Sequence, residues 1–416
     1  MNYEIPDLVA PLVSPRAKET LAKVRAFIEQ RLLPNFHNME AALEEQTKAG
    51  ERWKKVPALL EELKVEAQKQ GLWNLFLPKY YNEGAGFSNL EYALMAEQMG
   101  RAPVGAEVFN CSAPDTGNME VLARFGNDQQ KKRWLEPLLD GKIRSAFCMT
   151  EKGVPSSDAT QISLKIRPDG DEYVLNGVKW WASGAGDPRC ELLLVLGQTD
   201  PEESIFNQHS IVIVPRDTKG VTIVRPMQVF GYDDAPHGHM EIRFENVRIP
   251  KSNIIGKEGD GFRIIQGRLG PGRIHHCMRA MGAAQTALQL MVERTTKRKT
   301  FGKPLARHGK IQEWIALSRV QITEGRLLVL AAAAKIDAVG PKGAQEEIAV
   351  AKIACPNIAL DVVDRAIQSY GAEGVSQDTI LAMMYAGLRT LRLADGPDEV
   401  HMNQLARRTI STLTKL

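Results

Sequence analysis

From about Ile143 to Pro250 the apolar residues come in short β-branched or leucine-rich runs, whereas on both sides of that block they recur at helical spacing. The runs are Tyr173-Val174-Leu175 and residues 192–196, 211–214 and 221–224. Asn176-Gly177, Asp187-Pro188 and Lys219-Gly220 punctuate them as turns. In residues 239–244, Met240, Ile242 and Phe244 alternate onto one face. No helical segment long enough for a βαβ crossover intervenes, so the block predicts an antiparallel sheet.

Before the block, residues 16–46 and 52–70 are charged and carry apolar residues at helical spacing. Ser88-Asn89 leads into a helix over 90–99 closed by Gly100, and 116–125 and 128–139 have the same texture. After Gly261, Met281, Ala284, Leu288 and Val292 share one face of a long helix. Residues 311–333 and 346–370 are further long amphipathic helices. Helices, sheet, helices is an α+β plan in three domains: an N-terminal helical domain (1–142), a middle antiparallel β domain (143–255) and a C-terminal four-helix bundle domain (256–416).

The chain of 416 residues is 44% hydrophobic and 25% charged, with a formal net charge of +3. That spread-out excess is not the basic patch of a nucleic-acid binder, and no stretch approaches the ~20 apolar residues of a membrane span. Glu4 and Asp7 argue against a signal or transit peptide. Thr414-Lys415-Leu416 loosely echoes a peroxisomal tripeptide and reads as chance. The five cysteines are scattered, without a CxxC pair, which predicts free thiols in a reducing compartment. His237-Gly238-His239 and His275-His276-Cys277 lack a third group at metal spacing, so no metal is expected.

Three segments carry chemistry. In Phe147-Cys148-Met149-Thr150-Glu151 with Ser156-Ser157-Asp158, hydroxyls and backbone N–H groups could hold a polar heterocycle, or form only a serine-rich turn. Lys179-Trp180-Trp181-Ala182-Ser183-Gly184 sets an indole wall beside a hydroxyl, or a core tryptophan beside a turn. Arg298-Lys299-Thr300-Phe301-Gly302-Lys303-Pro304 offers a guanidinium fork suited to a pyrophosphate, or a cation near a helix C-terminus. The glycines between Gly261 and Gly272 follow no strand at dinucleotide-fold spacing.

Taken in order, these segments resemble the acyl-CoA dehydrogenase family. Thr150-Glu151…Ser157-Asp158 followed by Asn176-Gly177-Val178-Lys179-Trp180-Trp181-Ala182-Ser183 is similar to its T-E-P…S-D and N-G-x-K-x-W-I-[TS] pair, with Lys152 where the family has proline. Pro78…Gly86, Ala96-Glu97-Gln98-Met99-Gly100, the Phe125-Gly126…Gln130-Lys131 segment and Phe244…Pro250 match further family segments. Gln368-Ser369-Tyr370-Gly371-Ala372-Glu373-Gly374 resembles its Q-x-x-G-G-x-G stretch. The ADGPDEVH string at 394–401, with the SSDAT and KWWASGAG strings, looks most like the branch of family members ten and eleven and their bacterial relatives.

The resemblance implies FAD, with Met149, Thr150, Ser157, Trp181, Ser183, Arg298, Phe301, Gln368, Gly371 and Gly374 at the cofactor. It places Ser157, Arg273, His275 and Gly396 at the substrate, with a possible part for His276 beside His275. Because the family's arginine reaches FAD of a neighbouring subunit, a homodimer or homotetramer is implied. So are an acyl-CoA substrate, fatty acid β-oxidation and electron-transfer flavoprotein as acceptor. Oxidation of an acyl thioester needs a proton taken from Cα and a hydride passed from Cβ to flavin N5. Asp395 stands where most of the family has its glutamate base, and Glu399 is the second candidate. A cytoplasmic location is expected of a bacterial chain, and a mitochondrial or peroxisomal one only of a eukaryotic chain. Two other readings share the fold: a nitroalkane oxidase-like flavoprotein and a DNA-associated relative without catalysis.

Overall fold

The computed structural model describes residues 4–414. The chain packs as two units, one of residues up to 35, 87–106 and 270 onward, the other of residues 36–86 and 107–269. Lys415 and Leu416 of the C-terminal tripeptide lie outside the described residues.

The second unit is built on an eight-stranded sheet. Its strands are β1 (Arg144–Cys148), β2 (Lys165–Asp169), β3 (Glu172–Ser183), β4 (Cys190–Gln198), β5 (His209–Pro215), β6 (Val221–Pro226), β7 (His239–Pro250) and β8 (Ile254–Ile255). The order is β6-β7-β3-β2-β4-β5-β8, with β1 on β4. Leu175, Leu193, Val195, Val212, Ile242 and Phe244 form its buried core. Most neighbours are antiparallel, as expected. The β1–β4 ladder and the Lys165–Gln198 bridge between β2 and β4 are parallel instead. Parallel neighbours need a long connection. Here the β2–β3 hairpin supplies it between β1 and β4, and β3 supplies it between β2 and β4, so no helical periodicity gives warning.

Asn176-Gly177 is not a turn. It lies inside β3, where the ladder to β7 shifts register between Leu175 and Gly177. A Cβ on Gly177 would come within 2.9 Å of Leu164, so glycine is required by close packing. The β2–β3 turn falls at Gly170-Asp171, with Gly170 at φ 58.

A buried ionic network ties β1 to the preceding segment of the same unit. Arg144 Nε meets Asp115 at 2.5 Å, and its Nη1 meets Glu107 at 2.8 Å. Arg189 joins Glu107 at 2.8 Å and Asp187 at 2.6 Å. Burial would raise the Glu107 carboxyl, but Arg144 and Arg189 outweigh it and hold the group well below the usual carboxylate range.

The stretch 16–46, read as helical, changes its winding along the way. Pro15–Phe27 is α-helical, Ile28–Leu32 winds as a π-helix and Leu33–Asn35 as a 3-10 turn, and Phe36–Lys48, in the other unit, is α-helical again. Pro34 has no N–H to donate to an α-helical ladder, and it lies in the 3-10 turn. In the first unit, Asn89–Met99 is buried at every position. Ser88 and Glu91 form a capping box at its start, and the Asp337 carboxylate accepts from Asn89 N at 2.8 Å and Leu90 N at 2.9 Å. The other long helices are Gly261–Lys297, which enters this unit at Gly270, Gly309–Gly343, interrupted at Gly340, then Gln345–Tyr370, Leu381–Thr390 and Asp398–Thr414. Among the described residues no helix is long and apolar enough to cross a membrane. All five cysteines are free and buried.

Candidate active site

The expected site residues divide between the two units. In the second unit, β1 ends at Cys148 and Met149 and Thr150 follow, both half-buried. The loop is locked to β3 by a buried ion pair. Lys179 Nζ donates to Glu151 at 2.7 Å and to Met149 O at 2.8 Å. The Glu151 carboxylate also accepts from Ser163 Oγ at 2.6 Å, Ser163 N at 2.9 Å and Leu164 N at 2.8 Å. Burial pushes the Lys179 ammonium down to about 8 against the pull of Glu151. Burial acts to raise Glu151 too, but Lys179 and these donors prevail and lower it. Trp180 N–H donates to Thr150 O at 3.0 Å, fixing the loop against the strand.

The β3–β7 ladder shifts register again between Lys179 and Ala182, and Trp181 takes a left-handed backbone at φ 53. Such a bulge re-aims side chains. Ser183 Oγ lies 2.8 Å from His239 Nδ1, and His239 Nε2 lies 3.0 Å from Asp234. With Nε2 protonated toward Asp234, Nδ1 accepts the Ser183 hydroxyl proton and the serine lone pairs stay available to a donor. Trp181 and His239 sit ring to ring at 5.9 Å. The Trp180 indole Nε1 is buried without a hydrogen-bond partner among the described residues. An indole wall, a hydroxyl with free lone pairs and a buried unpaired N–H fit a flat polar heterocycle such as a flavin. Ser157, in the same loop, is exposed.

In the first unit, Arg298 is exposed at the end of the Gly261–Lys297 helix. It leads into a hairpin, Lys299–Thr300 against Lys303–Pro304, whose tip residues Phe301 and Gly302 have φ 49 and 78. Phe301 is 97% exposed. One turn before Arg298, Arg294 pairs with Glu373 at 2.8 Å and lies over the Tyr370 ring at 5.0 Å. These contacts hold the Gln368…Gly374 stretch to the same helix end. Gln368 is exposed, Gly371 ends its helix at φ 70, and Gly374 is buried.

Asp395 follows the Leu381–Thr390 helix at φ 58, with Gly396 at φ 98. Its own carbonyl accepts from Arg273 Nε at 2.8 Å and faces His401 Nε2 at 3.3 Å. Lys352, which is buried, hydrogen-bonds Leu391 O and reaches Gly396 O at 3.4 Å. Asp398 takes Arg392 Nε at 2.7 Å and Asn357 Nδ2 at 3.1 Å. The Asp395 carboxylate points to Gly272, where a Cβ would lie 3.5 Å from Oδ2. His276 Nε2 is 3.5 Å from the same oxygen. His275 is buried instead against Tyr92, with ring centroids 4.9 Å apart, and burial pushes it down to about 3. Glu399 is exposed.

Sequence reading singled out Asp395, Arg273 and Gly396 within this cluster. It gave no role to Lys352, His401 or Asp398, nor to His239 as the partner of Ser183. A buried lysine or histidine inside a long amphipathic helix looks like any other polar position; only packing distinguishes it.

Helical segments on either side of an antiparallel-rich sheet are the fold of a large flavoprotein class, and comparisons with known proteins say which family within it. The acyl-CoA dehydrogenase N-terminal, middle and C-terminal domain models match residues 14–142, 146–247 and 259–410. The chain is 54% identical to the Mycobacterium tuberculosis protein described as probable acyl-CoA dehydrogenase FadE2, over 85% of this chain and 86% of that protein. It is 52% identical to acyl-CoA dehydrogenase family member 11 of Gallus gallus, over 95% of this chain and 50% of that protein. It thus spans about half the length of the family-member-11 relatives it matches. A solved acyl-CoA dehydrogenase-like structure from Mycobacterium abscessus superposes with a TM-score of 0.93 at 48% identity, covering 96% of this chain and 99% of that one. The chain belongs to the acyl-CoA dehydrogenase family, with N-terminal helical, middle β and C-terminal helical domains.

Proposed function

We propose that this chain is an FAD-dependent acyl-CoA dehydrogenase that desaturates an acyl-CoA thioester between Cα and Cβ. The observation that supports the reading is the placement of Asp395. Its carboxylate is partly shielded, points at the small Gly272 and sits on a turn held by Arg273, His401 and Lys352. A carboxylate fixed in this way can take a proton from carbon. Gly272 has no side chain to obstruct the approach to Asp395.

In this reading Asp395 removes the α-proton. Trp181 and Ser183 position the ring system, and Arg298 and Phe301 are offered to a second copy of the chain. Bound FAD supplies the hydride acceptor. Electrons then pass to electron-transfer flavoprotein.

The test is anaerobic titration of the purified yellow protein with a panel of acyl-CoAs, following flavin absorbance. At least one acyl-CoA bleaches the wild type. Asp395→Asn slows bleaching by about 10²–10⁴-fold, the usual contribution of a positioned base. Full bleaching by Asp395→Asn would sink the assignment. Peroxide release on nitroethane with no bleaching by any acyl-CoA would replace it with a nitroalkane oxidase-like activity.

A further inference from the structure

His276 lies on the same face of the Gly261–Lys297 helix as Gly272, one turn on, and so faces the same carboxylate. Its two ring nitrogens have different surroundings. Nδ1 lies 3.3 Å from Arg279 Nη2, and a guanidinium can only donate, so Nδ1 is the acceptor. In the neutral ring the proton is therefore on Nε2, the nitrogen 3.5 Å from Asp395 Oδ2. Both side chains are partly open, with relative exposures of 21% and 18%. His276 is thus not a core histidine like His275.

We infer that His276 is a positioning residue for the base, an Nε2–H donor that Arg279 orients toward the Asp395 carboxylate and that favours its ionised form. The inference rests on the reading of Asp395 as the base. The 3.5 Å separation is long for a finished hydrogen bond, but catalytic hydrogen bonds commonly tighten once ligand is bound. In the reaction the α C–H bond breaks and an O–H bond forms on Asp395. The C–H electron pair becomes the new π bond, and bound FAD would take the hydride from Cβ. His276 neither gains nor loses a proton. Its work is done beforehand, by favouring the form of Asp395 that can accept one. Among the described residues, the other charged or titratable groups near this pair include Arg273, His275 and Arg279 on the same helix, Lys352 on Gln345–Tyr370, and Asp398 and His401 on the last helix. None is altered in the variants below.

Two substitutions separate hydrogen bonding from shape. His276→Leu removes the donor. His276→Gln keeps an amide N–H near the Nε2 position. The first readout needs no substrate: the titration of Asp395 in the full-length holoenzyme carrying ¹³C-labelled aspartate carboxyls, its signal assigned by loss in Asp395→Asn. Loss of the donor makes Asp395 about a tenfold weaker acid in His276→Leu, while His276→Gln stays at the wild-type midpoint. The second readout is the pH profile of flavin reduction by the acyl-CoA of the panel that bleaches the wild type fastest, whose acid limb moves to higher pH by the same step in His276→Leu alone. An unmoved midpoint in His276→Leu overturns the inference, and so does an equal shift in both variants. Failure of the base reading looks different: Asp395→Asn then still bleaches, whatever the titration of Asp395 shows.

Discussion

Asp395 keeps a left-handed backbone that costs a non-glycine residue on the order of 1–3 kcal/mol, so its surroundings must hold it there. They do so through carbonyls. Arg273 and His401 take the carbonyl of Asp395 itself, and Lys352 takes those of Leu391 and Gly396. Gly396 is the weak point, because its φ of 98 suits glycine alone and a Cβ there would lie 2.9 Å from His401 Nε2. Gly396→Ala is expected to lose about 1–3 kcal/mol of stability and to slow flavin reduction more than it weakens acyl-CoA binding. Thermal denaturation and single-turnover reduction would check this. An unchanged rate with unchanged melting would show that the turn tolerates a normal backbone.

At the scale of elements, two glycines fix how the first unit packs. A Cβ on Gly282 would stand 1.9 Å from Glu97 O, and one on Gly100 would stand 2.1 Å from Arg279 O, so the two helices touch backbone to backbone. Gly387, inside the Leu381–Thr390 helix, has nothing within 4 Å of an added Cβ. Gly282→Ala should therefore cost about 3 kcal/mol or more by overpacking, while Gly387→Ala should gain about 0.5–1 kcal/mol from helix propensity. Opposite shifts in melting temperature are the expected result, and two shifts of the same sign would contradict it. Elements of this kind were partly legible. The capping of Asn89–Met99 could be read from Ser88 and Gly100 because capping is local. The Gly100–Gly282 crossing could not, since it joins residues far apart in the chain. Asn176-Gly177 misled because a hairpin signal and a bulge use the same residues, and the hairpin turn fell at Gly170-Asp171.

For the whole molecule, the order helix, sheet, helix was legible because periodicity is written along the chain, whereas buried charge was not, because burial depends on partners elsewhere. Those buried groups set how stability responds to pH. Burial pushes His275 down to about 3 and His401 down to about 4, so between there and 6.5 the unfolded chain binds protons that the folded one refuses. Their contribution is present above about pH 6.5 and is lost as pH falls. Glu120, in the other unit, works in reverse. Burial raises it to about 7 despite the Tyr81 hydroxyl that donates to it at 3.3 Å. Its folded form holds a proton that the unfolded form gives up above about 4.5, so its contribution weakens as pH rises from there to 7. Glu120→Gln removes that loss while keeping a neutral, hydrogen-bonding side chain. Relative to wild type it should gain on the order of 3 kcal/mol between pH 5 and pH 8, while the slope from the histidines stays. In melting experiments the gap between variant and wild type should open as pH rises. A gap that is constant across this range would mean that Glu120 is already ionised at pH 5 in the folded chain.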